Sequence, residues 1–367
     1  MEKEIGSIFP LENIFCPPAE PFVTISPSSD VKYSLCREAF YDICVNHGGL
    51  NKRVLIPAYT CQTVITPFEE AGWTCYYYNI QKDLHIDTDF FNVLGEQVRP
   101  GIVVVHPYYG LRLNQQESDS LRRIREKGAT IVMDFTQGIF ADPEYDFVDF
   151  FIGSYRKWFP IPDGAFLKVN KADNLIPVPD NEDTEFVTMQ ADAMFLRKQY
   201  FNSGVKQLKT ISIRLNKRAN NSVAHGIKPH RMSSFSLDLM LRQDFQEVRS
   251  KRQENFNYLF NHLNQYDGFK FVCPDLSALM TTPLYFAVLS SDRNQLQRVL
   301  ADNDIYAPVL WPVENQELLI SEDVKYIYDH ILAIPCDQRY GEEEMRRIVR
   351  VINTFINERE NCSIGSK

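Results

Sequence analysis

Residues 129–138 read ATIVMDFTQG, and residues 147–157 read FVDFFIGSYRK. Each opens on a largely apolar run and then turns polar, at Asp134 in the first and at Ser154 in the second. A strand with one wet face alternates apolar and polar side chains, whereas a strand covered on both faces does not need to. The same signature recurs upstream at Arg53–Pro57 (RVLIP), Thr74–Asn79 (TCYYYN) and Gly101–His106 (GIVVVH), and downstream at Gly164–Val169 (GAFLKV). Helical spacing at Thr60–Ala71 and at Gln115–Lys127, stopped by Gly128, separates several of these runs. Buried strands alternating with helices predict an α/β fold: a three-layer α/β/α large domain built on a mainly parallel sheet.

Outward from this block the pattern changes. Residues 1–30 carry Pro10, Pro17, Pro18, Pro21 and Pro27 and read as an N-terminal arm laid over the surface. Past residue 170 the strands are fewer and the helices longer. Asp183–Tyr200 reads as a helix, and Asn202–His230 as polar and irregular, with a basic cluster at Lys206, Lys209, Arg214, Lys217 and Arg218. Arg242–Tyr266 reads as one long helix; strand-like Leu284–Leu289 and Ile305–Leu310 flank a helix at Arg293–Asn303, and a last amphipathic helix spans Glu342–Asn357. This divides the chain into an arm (1–30), a large domain (31–235) and a small α+β C-terminal domain (236–367).

The 367 residues are enough for two domains and a sizeable core. With 39 basic and 48 acidic residues the net charge is −9, which argues against a nucleic-acid binder but leaves room for a local anion pocket. No apolar run is long enough to cross a bilayer, and MEKEIGSIF lacks the pattern of a secretory leader. Cys16, Cys36, Cys44, Cys61, Cys75, Cys273, Cys336 and Cys362 make no C-x-x-C pair or zinc spacing. Reduced thiols in a cytoplasmic protein are the expectation.

In parallel α/β sheets, ligands sit at the carboxyl ends of the strands. There this chain places Tyr108 and Tyr109 after one strand, Asp134 and Gln137 after the next, and Ser154 with Lys157 after a third. An acid, an amide, a hydroxyl and an amine at one crevice are what pyridoxal phosphate requires. The amine forms a Schiff base, the carboxylate keeps the pyridine nitrogen protonated, the amide meets the ring oxygen, and hydroxyl and helix-start N–H groups hold the phosphate. Alone, each residue reads more simply: a strand-end Asp is commonly a turn residue and a Lys a solvated one. The conjunction of the four carries the reading. S-x-x-K at 154–157 lacks the K-T-G and S-D-N partners of penicillin-binding enzymes. Neither a P-loop nor G-x-G-x-x-G occurs.

Six segments resemble the DegT/DnrJ/EryC sugar aminotransferases, a fold type I family dependent on pyridoxal phosphate. They are IPAYTCQTVITPFEEAG (56–72), VVVHPYYG (103–110), MDFTQG (133–138), GSYRKWFPIPDGAFL (153–167), HRMSSFSLDLM (230–240) and ILAIPCDQRYGEEEMRRIVRVINTFI (331–356). The resemblance implies that Lys157 carries the cofactor and shuttles a proton. It implies that Asp134 faces the ring nitrogen, Gln137 the ring hydroxyl, and Ser154 and the backbone around Cys36 and Arg37 the phosphate. It also implies a homodimer using a small amino donor and a nucleotide-linked keto-sugar acceptor, in polysaccharide biosynthesis.

The chain departs from the family at several places. Ser34-Leu35-Cys36-Arg37 replaces a glycine-containing turn, and the Arg37 side chain is then a candidate phosphate partner. Cys61 stands where an aromatic usually covers the ring, leaving Tyr59 or Tyr109 for that role. Only Tyr155 and Arg156 separate serine from lysine. Pro229 takes the place of an asparagine that reaches the partner's phosphate, leaving His230, Arg231 or the basic cluster as substitutes. Two other readings stay open: a dehydratase or lyase on the same cofactor, and a non-catalytic relative of the fold.

Overall fold

The computed structural model describes residues 4–11, 30–46, 51–141, 145–170 and 176–364. The expected arm is described only at residues 4–11. Pro17, Pro18, Pro21, Pro27 and Cys16 lie outside the described residues.

Twelve strands are present among the described residues: β1 (Ile5–Gly6), β2 (Asp30–Tyr33), β3 (Arg53–Pro57), β4 (Thr74–Tyr78), β5 (Ile102–Val105), β6 (Thr130–Asp134), β7 (Phe150–Ser154), β8 (Ala165–Val169), β9 (Phe269–Phe271), β10 (Phe286–Ser290), β11 (Ile305–Tyr306) and β12 (Ile331–Ile334). The helices are α1 (Cys36–Asn46), α2 (Gln62–Glu70), α3 (Thr88–Val98), α4 (Gln115–Glu126), α5 (Thr184–Ser203), α6 (Lys206–Ser222), α7 (Ser234–Leu241), α8 (Phe245–His262), α9 (Arg293–Asp302), α10 (Glu322–His330) and α11 (Glu342–Ile364).

Seven strands form one sheet in the order β2-β8-β7-β6-β5-β3-β4. The pairs β4–β3, β3–β5, β5–β6 and β6–β7 are parallel, and β8 runs antiparallel to both β7 and β2. The central β5 buries Ile102, Val103, Val104 and Val105 completely, because helices cover both sheet faces. A second, antiparallel sheet, β12-β10-β9, lies in the C-terminal part of the chain, and the short pair β1–β11 is parallel. The architecture is α/β, a mainly parallel three-layer unit with a smaller α+β unit, as the apolar runs predict. Ile5 is fully buried, paired with Ile305, so the described part of the N-terminal stretch is built into the C-terminal part rather than laid over the surface.

The irregular reading of Asn202–His230 is corrected: Lys206–Ser222 is a helix, antiparallel in the chain to α5 after the left-handed turn at Gly204. Its inward stripe is small, with Ser212 and Ala219 buried, and Ser212 Oγ donates to the Ala193 carbonyl at 2.7 Å. Small residues let the two helices approach closely, and they hide the apolar period that marks a helix in sequence. The expected helix 242–266 starts later, at Phe245, where Asp244 caps it by accepting from the Glu247 amide at 2.9 Å.

Two glycines shape the turn that presents Lys157. At Gly153 the Phe166 ring crosses so closely that a β-carbon would meet it at 2.4 Å. Gly164 has φ +137°, and its carbonyl accepts from the amides of Tyr155 (2.9 Å) and Arg156 (3.2 Å). The tight turn Tyr155–Lys157 therefore hangs on a residue that only glycine supplies without strain.

Candidate functional site

Lys157 leaves β7 on that turn and is solvent-exposed, and among the described residues no hydrogen bond or ion pair engages it. It lines two cavities. The first is a narrow cleft of about 30 Å³ at the carboxyl ends of β5, β6 and β7, walled by His106, Asp134, Thr136, Gln137, Cys36 and Cys61, with Trp311 across from them. The second is a chamber of about 650 Å³ between the helices α5 and α6 and the C-terminal part.

In the cleft Asp134 ends β6. One carboxylate oxygen accepts the Thr136 amide at 2.8 Å, and the other stands 3.8 Å from His106 Nδ1. His106 Nε2 pairs with Thr60 Oγ1 at 2.8 Å. Burial pushes its pKa down to about 4, more than the Asp134 carboxylate raises it, and Lys157 adds to the fall. His106 is therefore a neutral imidazole beside Asp134. Gln137 Oε1 accepts the Tyr109 amide at 2.9 Å, while its buried Nε2 has no partner. An amide held at one end with an orphaned donor at the other is shaped for a ligand acceptor.

Cys36 opens α1, its Sγ 3.7 Å from Thr136 Oγ1, and burial followed by the Asp134 charge pushes the thiol up to about 12. It is an inert thiol rather than a nucleophile. Cys61 precedes α2 and accepts from Thr63 Oγ1 at 3.0 Å. Arg37 points to the end of α6, donating to the Val223 carbonyl at 2.6 Å, and burial lowers its pKa. Arg156 reaches the same helix end through Asn220 Oδ1 at 3.2 Å, and burial plus the neighbouring Arg37 guanidinium lowers it to about 10.

Lys157, Asp134, Gln137, Cys36 and Cys61 thus meet at one cleft, and Arg37 flanks it. Ser154 is buried at the end of β7 and does not line the cleft. Tyr59 and Tyr109, named from sequence as covers for the ring, do not line it either. Tyr59 is fully buried behind Trp311 with ring centroids 4.9 Å apart, and its hydroxyl lies 3.3 Å from that of Tyr109. A side chain packed among Trp311, Tyr108 and Tyr328 has no free face for a ligand. His230 pairs with Glu38 at 3.2 Å and Arg231 with Glu182 at 3.1 Å. Of the basic cluster, Lys209 lines the chamber, bound to Glu4 at 2.6 Å, and Lys206, Arg214, Lys217 and Arg218 are exposed on α6.

Sequence reasoning missed His106, Trp311 and Gln190. His106 ends a strand just as Asp134 does, so the strand-end rule had the signal for it. Trp311 and Gln190 come from distant segments that only the tertiary fold brings to Lys157. The chamber carries Arg156, Lys157, Lys209, Arg252, Arg298 and Arg339 with the carboxylate of Asp337. Gln190 lines it too, buried, its Nε2 without a partner. Among the described residues no His/Cys/Asp/Glu group is arranged for a metal, and no helix is long and apolar enough to cross a membrane.

No protein-family model and no curated protein sequence matches the chain. Solved structures do. The chain is similar to PseC of Helicobacter pylori, an aminotransferase involved in the biosynthesis of pseudoaminic acid, at 12% identity over 95% of this chain and 98% of that one, TM-score 0.60. It is similar to DesI, solved in the presence of its TDP-sugar product, at 15% identity over 92% and 83% of the two chains, TM-score 0.65. NtdA of Bacillus subtilis, solved with bound cofactor PMP, matches at 14% identity over 89% and 73%, TM-score 0.64. At such identities the likeness is one of architecture, and it reaches nearly end to end: the chain has the fold of these aminotransferases.

Proposed function

We propose that the chain is a pyridoxal-phosphate-dependent aminotransferase that passes an amino group to a keto-sugar carried on a nucleotide. One observation carries the reading: Lys157 is shared by the Asp134/Gln137 cleft and by the large cation-lined chamber. An amine placed between a set of polar groups matched to the cofactor's ring and a substrate-sized cavity is where a transferase needs its proton carrier.

The residues present fit the cofactor. Gln137 Nε2 is an orphaned buried donor in the right wall, and Asp134 keeps one carboxylate oxygen clear of hydrogen bonds to protein N–H groups. Bound there, pyridoxal phosphate supplies an electron sink for the pair released when a C–H bond beside an amine breaks. Asp134, held by the Thr136 amide, would face the ring nitrogen, and Gln137 Nε2 would donate to the ring oxygen. The start of α1 with the Arg37 and Arg156 guanidinium groups would hold the phosphate. Ser154, which lies beside this wall at the end of β7, is the family's hydroxyl for the same oxygens.

Lys157 Nζ, without a partner among the described residues, would take a proton from the substrate carbon and return it on the cofactor side. The 650 Å³ chamber has room for a sugar and its nucleotide, and its cations suit phosphate oxygens. Glutamate or glutamine as donor would place its carboxylate on the same cations. On this reading residues 31–235 form the cofactor domain and 236–367 the small domain, joined by the long α8. A homodimer in the cytoplasm and a place in polysaccharide biosynthesis belong to the same proposal. The exposed Phe195, Phe201, Val205, Ile211 and Ile213 of the α5–α6 hairpin support a subunit contact.

The test is spectroscopic. Purified protein given pyridoxal phosphate should acquire a visible absorption band that borohydride fixes to Lys157. Adding glutamate or glutamine should convert the band to that of the amine form. Protein that takes up no cofactor refutes the reading in favour of a non-catalytic relative. Protein that takes up cofactor and converts with no amino donor points to dehydratase or lyase chemistry instead.

A further inference from the structure

The cleft of about 30 Å³ has the room of a single water molecule and none for a pyridine ring. One wall must move for the proposed cofactor to enter. The backbone of Cys36, Phe40, Cys61, Val64, His106 and Asp134 sits at strand ends of the seven-stranded sheet or on the first turns of α1 and α2. Sheet and helices fix those positions together, so a coordinated shift of that wall would tear the ladder.

Trp311 is different. It lines the cleft from the C-terminal part, on the segment after β11, which belongs to no sheet of the large unit. Its φ is +56°, in the left-handed region that bulky residues avoid. Pro312 follows it, and a residue before proline is further biased toward extended backbone, so this conformation is held by its surroundings rather than by local preference. The surroundings are aromatic: Tyr59, His106 and Tyr108 have ring centroids 4.9, 5.7 and 6.2 Å from the indole. The His106 ring is tilted by 36° against it. An aromatic surface on a segment outside the sheet, across the cleft from Asp134 and Cys61, is suited to cover a flat heteroaromatic face.

We propose that Trp311 is the movable aromatic wall of the cofactor cleft: the indole withdraws to admit pyridoxal phosphate and then lies against its ring. This rests on the cofactor reading above and assigns to the C-terminal part the ring-covering role that Cys61 cannot fill.

The probe is pyridoxal 5′-phosphate itself, titrated into wild type, Trp311→Ala and Trp311→Phe. Dissociation constants come from equilibrium dialysis and the visible band, with tryptophan emission followed in parallel. Loss of ring stacking should weaken binding about tenfold in Trp311→Ala, while Trp311→Phe stays within about threefold of wild type. Cofactor addition should change the emission of wild type by more than that of Trp311→Phe, which keeps Trp73 and Trp158. If wild type binds the cofactor and Trp311→Ala binds it equally well, the inference is overturned while the cofactor reading stands. Equal emission changes in wild type and Trp311→Phe overturn it as well. Wild type that binds no cofactor overturns both. Should Trp311→Ala fail to fold, Trp311→Leu, which keeps bulk without a ring, takes its place with the same expected weakening.

Discussion

Gln190 offers a substitution in which stability and function should move in opposite directions. Its side chain is 4% exposed on the buried face of α5, and Nε2 has no hydrogen-bond partner among the described residues. A buried donor left unpaired costs about 1–3 kcal/mol relative to an apolar group of the same shape. Methionine matches glutamine in length and flexibility, and its neighbour Met194 shows that the chamber wall accepts a thioether. Gln190→Met should therefore raise the unfolding free energy of the cofactor-free protein by about 1 kcal/mol or more, read as a higher urea midpoint at unchanged slope. If the amide exists to bind the acceptor, the same change should raise the acceptor KM about tenfold, the worth of one hydrogen bond to a polar ligand. The donor half-reaction, whose carboxylate uses the chamber's cations rather than this amide, should be unaffected. A destabilised Gln190→Met would refute the reasoning, because it would mean the amide holds the fold. A stabilised variant with unchanged acceptor kinetics would refute the binding role alone.

Three further outcomes follow from the geometry. Lys157→Ala should fold within about 0.5 kcal/mol of wild type, since the side chain is exposed and unpartnered, yet borohydride should no longer fix pyridoxal phosphate to the protein. His106 is held neutral with its pKa down at about 4, against about 6.5 in an unfolded chain, so the unfolded state takes the proton first as the pH falls. Stability should drop by about 1.4 kcal/mol per pH unit from about pH 6.5 to about 4, and urea midpoints across that range should flatten in His106→Asn. Glu4 accepts from Arg197, Tyr200 and Lys209, each at 2.6 Å, and Arg197 is fully buried. Glu4→Gln strands that guanidinium, and calorimetry should find about 3–5 kcal/mol lost.

What was legible in the sequence was whatever is repeated or local. The sheet announced itself because a strand buried on both faces is apolar at every position, as in Ile102–Val105. The Asp134, Gln137 and Lys157 group was legible because parallel strands all deliver their carboxyl ends to one edge. Helix α6 was not, because its packing face carries Ser212 and Ala219 and its other faces carry charge. Helix α3 was missed as well. Its interior includes Gly95, where the Ile124 side chain of α4 crosses so closely that a β-carbon would meet it at 2.7 Å. Tyr59 is a candidate cover for the ring from sequence alone, but it lies beyond the end of β3, where the chain turns its side chain into the core against Tyr108, Trp311 and Tyr328. No local rule reaches Trp311 or Gln190, whose significance depends on which distant segments fold against Lys157.

The charge of the chamber can be set against that of the whole protein. The chain carries −9, yet Arg156, Lys157, Lys209, Arg252, Arg298 and Arg339 converge on one cavity with the single carboxylate of Asp337. Two of these cations are neutralised at close range, Arg339 by Asp337 at 2.7 Å and Lys209 by Glu4 at 2.6 Å. Arg252 is 1% exposed and donates to neutral groups: Gln338 Oε1 at 2.7 Å and the Leu284 carbonyl at 3.1 Å. Arg156 is likewise held by an amide, Asn220. Guanidinium groups kept from water and given amide oxygens in place of carboxylates retain most of their field, which a hydrated surface lysine would lose to screening. A field of that kind selects a ligand with spread negative charge and rejects neutral sugars of the same size. It also repels loose cations, so the acidic exterior and the basic chamber act together, the first limiting non-specific binding of polyanions and the second reserving a site for a small one.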